Sequence, residues 1–110
     1  MANTFKLKTK DNVGVTTVGI YTAPAATTTV VIGITLANTS GSGVNVGVAV
    51  SRTSASKEDI HLIKNAPIPQ GSTLEFMGGN KIVLETSDQI NVDSDTASSV
   101  DAALTIMEIT

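Results

Sequence analysis

From Lys57 onward the chain alternates apolar and polar residues with a period of two, and this period more than any other feature limits what it can fold into. Ile60 and Leu62, Leu74 and Phe76, Ile82 and Leu84, and Ile90 and Val92 each recur two residues apart, mostly beside polar neighbours. Val100, Ala102, Leu104 and Ile106 form one longer run. Successive side chains of a strand point to opposite faces, so each run describes a ribbon with one apolar and one wet face. Turn formers separate the ribbons at 67–71, 78–80, 86–88 and 93–95, where proline fixes φ, glycine supplies positive φ, and Asp or Ser bonds its own backbone. No helix is needed, and the half reads as a β-meander or Greek key.

The first half repeats the pattern. Residues 4–9 set Phe5 and Leu7 against Lys6 and Lys8, which predicts a first strand with the lysines on its solvent face, followed by a turn at 10–12. Residues 13–21 carry Val13, Val15, Val18 and Ile20, with a change of parity near Thr16 and Thr17 that calls for a bulge or bend. Proline at 24 stops that strand. Residues 27–38 are apolar or small on both faces, with Val30, Ile32, Ile34 and Leu36 facing one way and Val31, Gly33, Thr35 and Ala37 the other. Such a strand belongs in the middle of a sheet or against a neighbouring subunit. After 39–43, Val44, Val46, Val48 and Val50 return as its expected hairpin partner, and 52–57 form a polar loop. The whole predicts one domain, 1–110: an all-β, antiparallel β-sandwich of jelly-roll type with eight or nine short strands.

Composition bears on function mainly by exclusion. Only 15% of the residues are charged, where soluble domains carry roughly 25%. Few charges mean weak repulsion between copies, which suits life in an assembly, and composition alone fits a weakly charged monomer equally well. The net charge of −3, with no basic run beyond Lys6, Lys8 and Lys10 and only Phe5, Tyr21 and Phe76 as aromatics, argues against nucleic acid. No stretch approaches membrane-spanning length and the first residues lack an apolar signal core, so synthesis and folding in the cytoplasm are expected. Cysteine is absent, which removes disulfides, thiolate metal sites and a cysteine nucleophile.

Candidate chemistry is sparse. His61 is the single histidine, too few for a histidine metal cluster, and it falls in the wet phase of its strand. Serine and aspartate are plentiful, yet no G-x-S-x-G elbow accompanies His61. Asp93 and Asp95, with Asp88 and Asp101 near in sequence, offer the oxygens a hard cation wants but lack the EF-hand spacing. Turn aspartates capping their own backbone is the simpler reading, with an ion at Asp93/Asp95 left open. Glu75 and Glu85 sit in the wet phase of separate strands and make no acid/base pair. Gly78 and Gly79 follow no strand–helix pattern and form no phosphate loop. We therefore expect a non-enzyme without cofactor, catalytic residue or metal, whose interface includes Val31, Gly33 and Thr35.

Several segments, taken together, point to a family. They are M-A-N-T-F-K at the start, N-V-G at 12–14, Y-T-A-P-A at 21–25 and T-T-V-V-I-G-I-T-L-A-N-T-S at 28–40. Further on come L-I-K-N-A-P-I-P-Q-G-S-T-L-E at 62–75, K-I-V-L-E at 81–85 and S-S-V-D-A-A-L-T-I-M-E-I-T at 98–110. The chain resembles small virion structural proteins of tailed bacteriophages, especially those of marine cyanobacteria. The resemblance implies a particle component in many copies, decorating or cementing the capsid or forming part of the neck or tail. Its partners would be the major capsid or neck and tail proteins and other copies of itself, with a trimer favoured over a hexamer or pentamer. The alternative is a small receptor- or carbohydrate-binding module of a fibre, which an exposed Tyr21 among polar loops would favour.

Overall fold

The computed structural model describes residues 3–52, 58–75 and 81–110. Among these there is no helix, and nine strands follow in order: β1 (Asn3–Val13), β2 (Val18–Thr22), β3 (Thr28–Asn38), β4 (Val44–Ser51), β5 (Ile60–Ile68), β6 (Thr73–Glu75), β7 (Ile82–Leu84), β8 (Gln89–Ser94) and β9 (Val100–Ile109). Two antiparallel sheets result. One runs β1-β9-β3, with β6 and β7 sharing the far side of β3; the other runs β2-β8-β4-β5. Strands of the first half pair with strands of the second in mirror order: β1 with β9, β2 with β8, β3 with β6 and β7, β4 with β5. The chain is thus one long two-stranded ribbon, rolled so that β9 also meets β3 and β8 also meets β4. This is the jelly-roll wrapping of a β-sandwich.

The expected hairpin of 27–38 with 44–50 does not form. β3 and β4 lie in different sheets, and residues 39–43 cross between them. Asn38, 4% exposed, organises that crossing. Its Nδ2 donates to the carbonyls of Ser42 (2.8 Å) and Ile68 (2.9 Å), and its Oδ1 accepts from the Ser40 amide (2.9 Å) and hydroxyl (2.8 Å). Those bonds turn the chain out of one sheet before a hairpin can close. Both strands are interior in their sheets, so the scarcity of charge on them leaves no sheet edge unprotected.

Residues 13–21 are likewise two elements. Val13 ends β1 in one sheet and β2 begins the other, so the parity change near Thr16 and Thr17 is a crossing. Here Ser94 N–H donates to the Gly14 carbonyl and Ser99 N–H to that of Val13. A Cβ at Gly14 would stand 3.2 Å from the Ser98 nitrogen and 3.3 Å from the Ala97 Cα, so any side chain here would push the facing backbone back by a few tenths of an ångström. The turn expected at 10–12 is absent. β1 runs through it with a register shift between Lys10 and Val13, which a positive φ at Asn12 accommodates.

The core is aliphatic, as composition implied. Val44, Val46, Val48 and Val50 of β4 face Val31, Ile34 and Leu36 of β3 and Val100, Ala102, Leu104 and Ile106 of β9 across the sandwich, with Ile90 and Val92 of β8 beside them. Burying one such side chain contributes about 1.5–3 kcal/mol. On β3 the inward set is Thr29 and Val31, then Ile34, Leu36 and Asn38, because a bulge between Val31 and Gly33 shifts the register against β9. Strict alternation through 30–37 was therefore incorrect, and Val31 is a core residue at 0% exposure.

Candidate assembly face

The largest departure from the expected pattern lies on β1. Lys6, Lys8 and Lys10 pair with Ile106, Leu104 and Ala102, the inward residues of β9, so the lysines share the inner phase. Phe5 and Leu7 point outward and are 69% and 64% exposed. β1 is an edge strand, and lysines on the inward side of an edge discourage pairing with a foreign strand. Lys6 also has a buried partner. Glu108 stands in the inner phase of β9, forms a 2.9 Å ion pair with Lys6 and accepts a hydrogen bond from the Tyr21 hydroxyl. That hydroxyl also lies 2.8 Å from the Thr29 Oγ1, and Lys8 Nζ sits 6.0 Å above the Tyr21 ring. One polar cluster thereby joins β1, β2, β3 and β9, and both sheets.

Outside, register places four apolar residues in one cross-strand row: Phe5, Met107, Val30 and Val83. The next row is Leu7, Thr105 and Gly33, and beyond it come Thr9, Ala103, Thr35 and Glu75. The paired positions of the first two rows carry no charge. Ile32, left over at the bulge, and Ile109 add apolar surface to the same end. The small residues of the third row, with Lys10, Asp11, Ala37, Asp101 and Ala102, line a hollow of about 540 Å³. An apolar sheet face with a second sheet on its other side is not needed for the fold, and larger contiguous apolar exposure is characteristic of interaction surfaces.

Of the three interface residues expected from sequence, Gly33 and Thr35 lie on this face, and nothing lies within 4 Å of a Cβ built on Gly33. Val31 is in the core. Phe5 and Leu7 escaped the sequence reading because the apolar residues of that alternating strand were assigned inward; Met107 and Val83 fall in the outer phase of strands that were read for their inner phase alone. The signal against that assignment was Glu108, a carboxylate in the buried phase of β9 that required a cation from a neighbouring strand.

The other candidates are dispersed. His61 is exposed on β5, paired with Ala49. Asp88 receives both bonds from Arg52 Nε and one from the Glu85 amide; Asp93 accepts from the Thr17 hydroxyl, Asp95 from the Asn45 amide and Asp101 from the Asn12 amide. Among the described residues, no group of three or more Asp, Glu, His or Cys is placed to hold a metal ion. Glu75 accepts from the Thr35 hydroxyl and Glu85 pairs with Arg52, on separate parts of the sheet edge. Tyr21 is buried at 7% exposure. Phe76, the turn at 78–80 and most of the polar loop at 52–57 lie outside the described residues.

The buried cluster predicts a pH profile. The Tyr21 hydroxyl, and after it Lys6, holds the Glu108 carboxyl below its ordinary range. Burial first, then the bond to Glu108, pushes the Tyr21 phenol up to about 12. Stability from Glu108 is complete above the unfolded carboxyl value of about 4.3 and is lost as pH falls through the lower folded value. Stability from Tyr21 is complete below the unfolded phenol value of about 10 and is lost as pH rises through the folded one. Urea midpoints measured across pH should fall at both ends. Tyr21→Phe should flatten the alkaline limb and Glu108→Gln should shrink the acid limb; an alkaline limb unchanged in Tyr21→Phe would remove the phenol from the account.

Comparison with known proteins adds a likeness of architecture. No protein-family model matches the sequence, and no curated protein matches it. The fold is similar to that of a chain from Bacillus endospore appendages. Those appendages form a novel family of disulfide-linked pili. The TM-score is 0.59 over 99% of this chain and 87% of that one, at 12% identity, so the two share a fold.

Proposed function

We propose that the chain is a non-catalytic structural component that works in many copies, joined through the outer face of the β1-β9-β3 sheet. The observation carrying this reading is the uncharged row Phe5–Met107–Val30–Val83 beside Leu7 and Gly33, apolar surface that a solitary domain has no use for. The shared fold with a pilus chain fits such a role. Unlike disulfide-linked pili, this chain has no cysteine, so its copies would be held by non-covalent contacts.

The finer reading follows the sequence resemblance: a virion structural protein of a tailed bacteriophage, made in the host cytoplasm. It would decorate or cement the capsid or build part of the neck or tail against the major capsid or neck proteins. Many weak contacts on a repeating lattice add up to firm attachment. The fibre-module alternative loses its main support, since Tyr21 is inside the sandwich. The trimer favoured from sequence also gives way to pairing of two copies, for reasons of geometry given below.

Light scattering at several concentrations should find a self-associating chain. Gly33→Lys, which adds a charge where there is space for it, should leave the fold intact and abolish association. A wild-type chain monomeric at every concentration would sink the reading of self-joined copies. For the virion role, gold-labelled antibody against the chain should mark regular positions on phage particles from the producing lysate. Label found only on unassembled protein would remove that role.

A further inference from the structure

Large and small side chains on the outer face are sorted by row. Phe5, Met107, Val30 and Val83 form a raised row on one side of the Leu7–Thr105–Gly33 line, and Thr9, Ala103 and Thr35 floor the hollow on the other. The two rows stand one strand period from that line in opposite directions. A surface with knobs and a hollow placed symmetrically about a line is complementary to itself after a half-turn about it. We infer that two copies of this chain pack these faces together about a two-fold axis running across the strands, along the Leu7–Thr105–Gly33 row. This rests on the reading above that copies join through this face.

The half-turn keeps every strand over its own counterpart, reverses its direction and exchanges the rows. Phe5 then enters the hollow over the partner's Thr9, Met107 lies over the partner's Ala103, and Leu7 meets the partner's Leu7 at the axis. Such a contact is isologous and closes on itself. Stacked sheets lie about 10 Å apart with strands within about 30° of each other, the arrangement that this strand-over-strand pairing calls for.

The area is sufficient. Four strands about 4.8 Å apart over ten residues of about 3.3 Å rise span roughly 600 Å² in plan. Side-chain relief raises the accessible area toward the roughly 800 Å² per partner of a stable interface. The charges on this face are few: Lys10, Asp11 and Asp101 surround the hollow, with Lys10 and Asp11 paired at 3.9 Å, and Glu75 ends the third row at the sheet edge, opposite the partner's Val83 after the half-turn. A foreign partner would place no demand on how rows are sorted about a line; a second copy does.

The natural absence of cysteine makes the test direct. Single-cysteine variants at Leu7, Phe5 and Thr9, all outward positions, are treated with a short bis-maleimide and run on a denaturing gel, with circular dichroism to confirm the fold. Leu7→Cys should convert to a linked dimer by itself. Thr9→Cys alone should stay monomeric on the gel, and a mixture of Phe5→Cys with Thr9→Cys should give the mixed dimer. If the wild-type chain associates but Leu7→Cys does not link, or Thr9→Cys links by itself, the two-fold arrangement is wrong and joined copies still stand. If the wild-type chain does not associate, both fall.

Discussion

Asn38→Leu should lower stability by about 3–4 kcal/mol, since the buried Ile68 carbonyl and the Ser40 amide lose their partner, the part-buried Ser42 carbonyl keeps only the Ser40 hydroxyl, and each unsatisfied group costs about 1–3 kcal/mol. For a domain of this size a loss of that order lowers the melting temperature by roughly 12–20 °C. The cause is specific: the carboxamide donates to Ser42 and Ile68 and accepts from Ser40, at the point where β3 leaves one sheet for the other. Asn38→Asp separates the two roles. The acceptor survives, but a carboxylate is set against two carbonyl oxygens, so aspartate should do no better than leucine. An aspartate variant of wild-type stability would show that donation to Ser42 and Ile68 is not what holds the corner.

Leu104→Ala should cost about 3–4 kcal/mol, in the range found when a leucine in a closely packed core is truncated. Leu104 is 0% exposed at the centre of β9, with Ile34 beside it in the sheet and valines of β4 above it. Thr105→Ala, one residue on, should change stability by no more than about 0.5 kcal/mol, because its side chain points out of the sandwich. The comparison has to be made at one fixed concentration, since Thr105 lies on the assembly face and association shifts apparent stability. Equal losses in the two variants would mean that the inward register of β9 is wrong.

How far the sequence can be read here depends on what each residue answers to. The alternating valines of β4 and the run from Val100 to Ile106 answer to burial alone, and the period of two placed them correctly. β1 answers to two demands, protection of an edge and charge balance with Glu108, and there the apolar residues went out and the lysines in. The missed crossing at 39–43 has another cause. A short Ser- and Gly-rich link between two β-runs looks the same whether it closes a hairpin or changes sheet, and only the bonds made by Asn38 decide. The bulge at Ile32 was invisible because both phases of β3 are apolar, so no polar residue marks the slip. For that reason Val31 turns inward while Gly33 and Thr35 share the outer phase.

The rolled ribbon also sets when this chain can become sticky. β9 is translated after the other eight strands, yet it fills the middle of its sheet between β1 and β3. Until it arrives those two strands have no common neighbour, and the rows that run Phe5–Met107–Val30 and Leu7–Thr105–Gly33 do not exist as rows. Pairings between distant segments form slowly and leave apolar strands open meanwhile. The proposed joining surface is therefore completed by the same strand that closes the β1-β9-β3 sheet. A chain cut before β9 cannot present it.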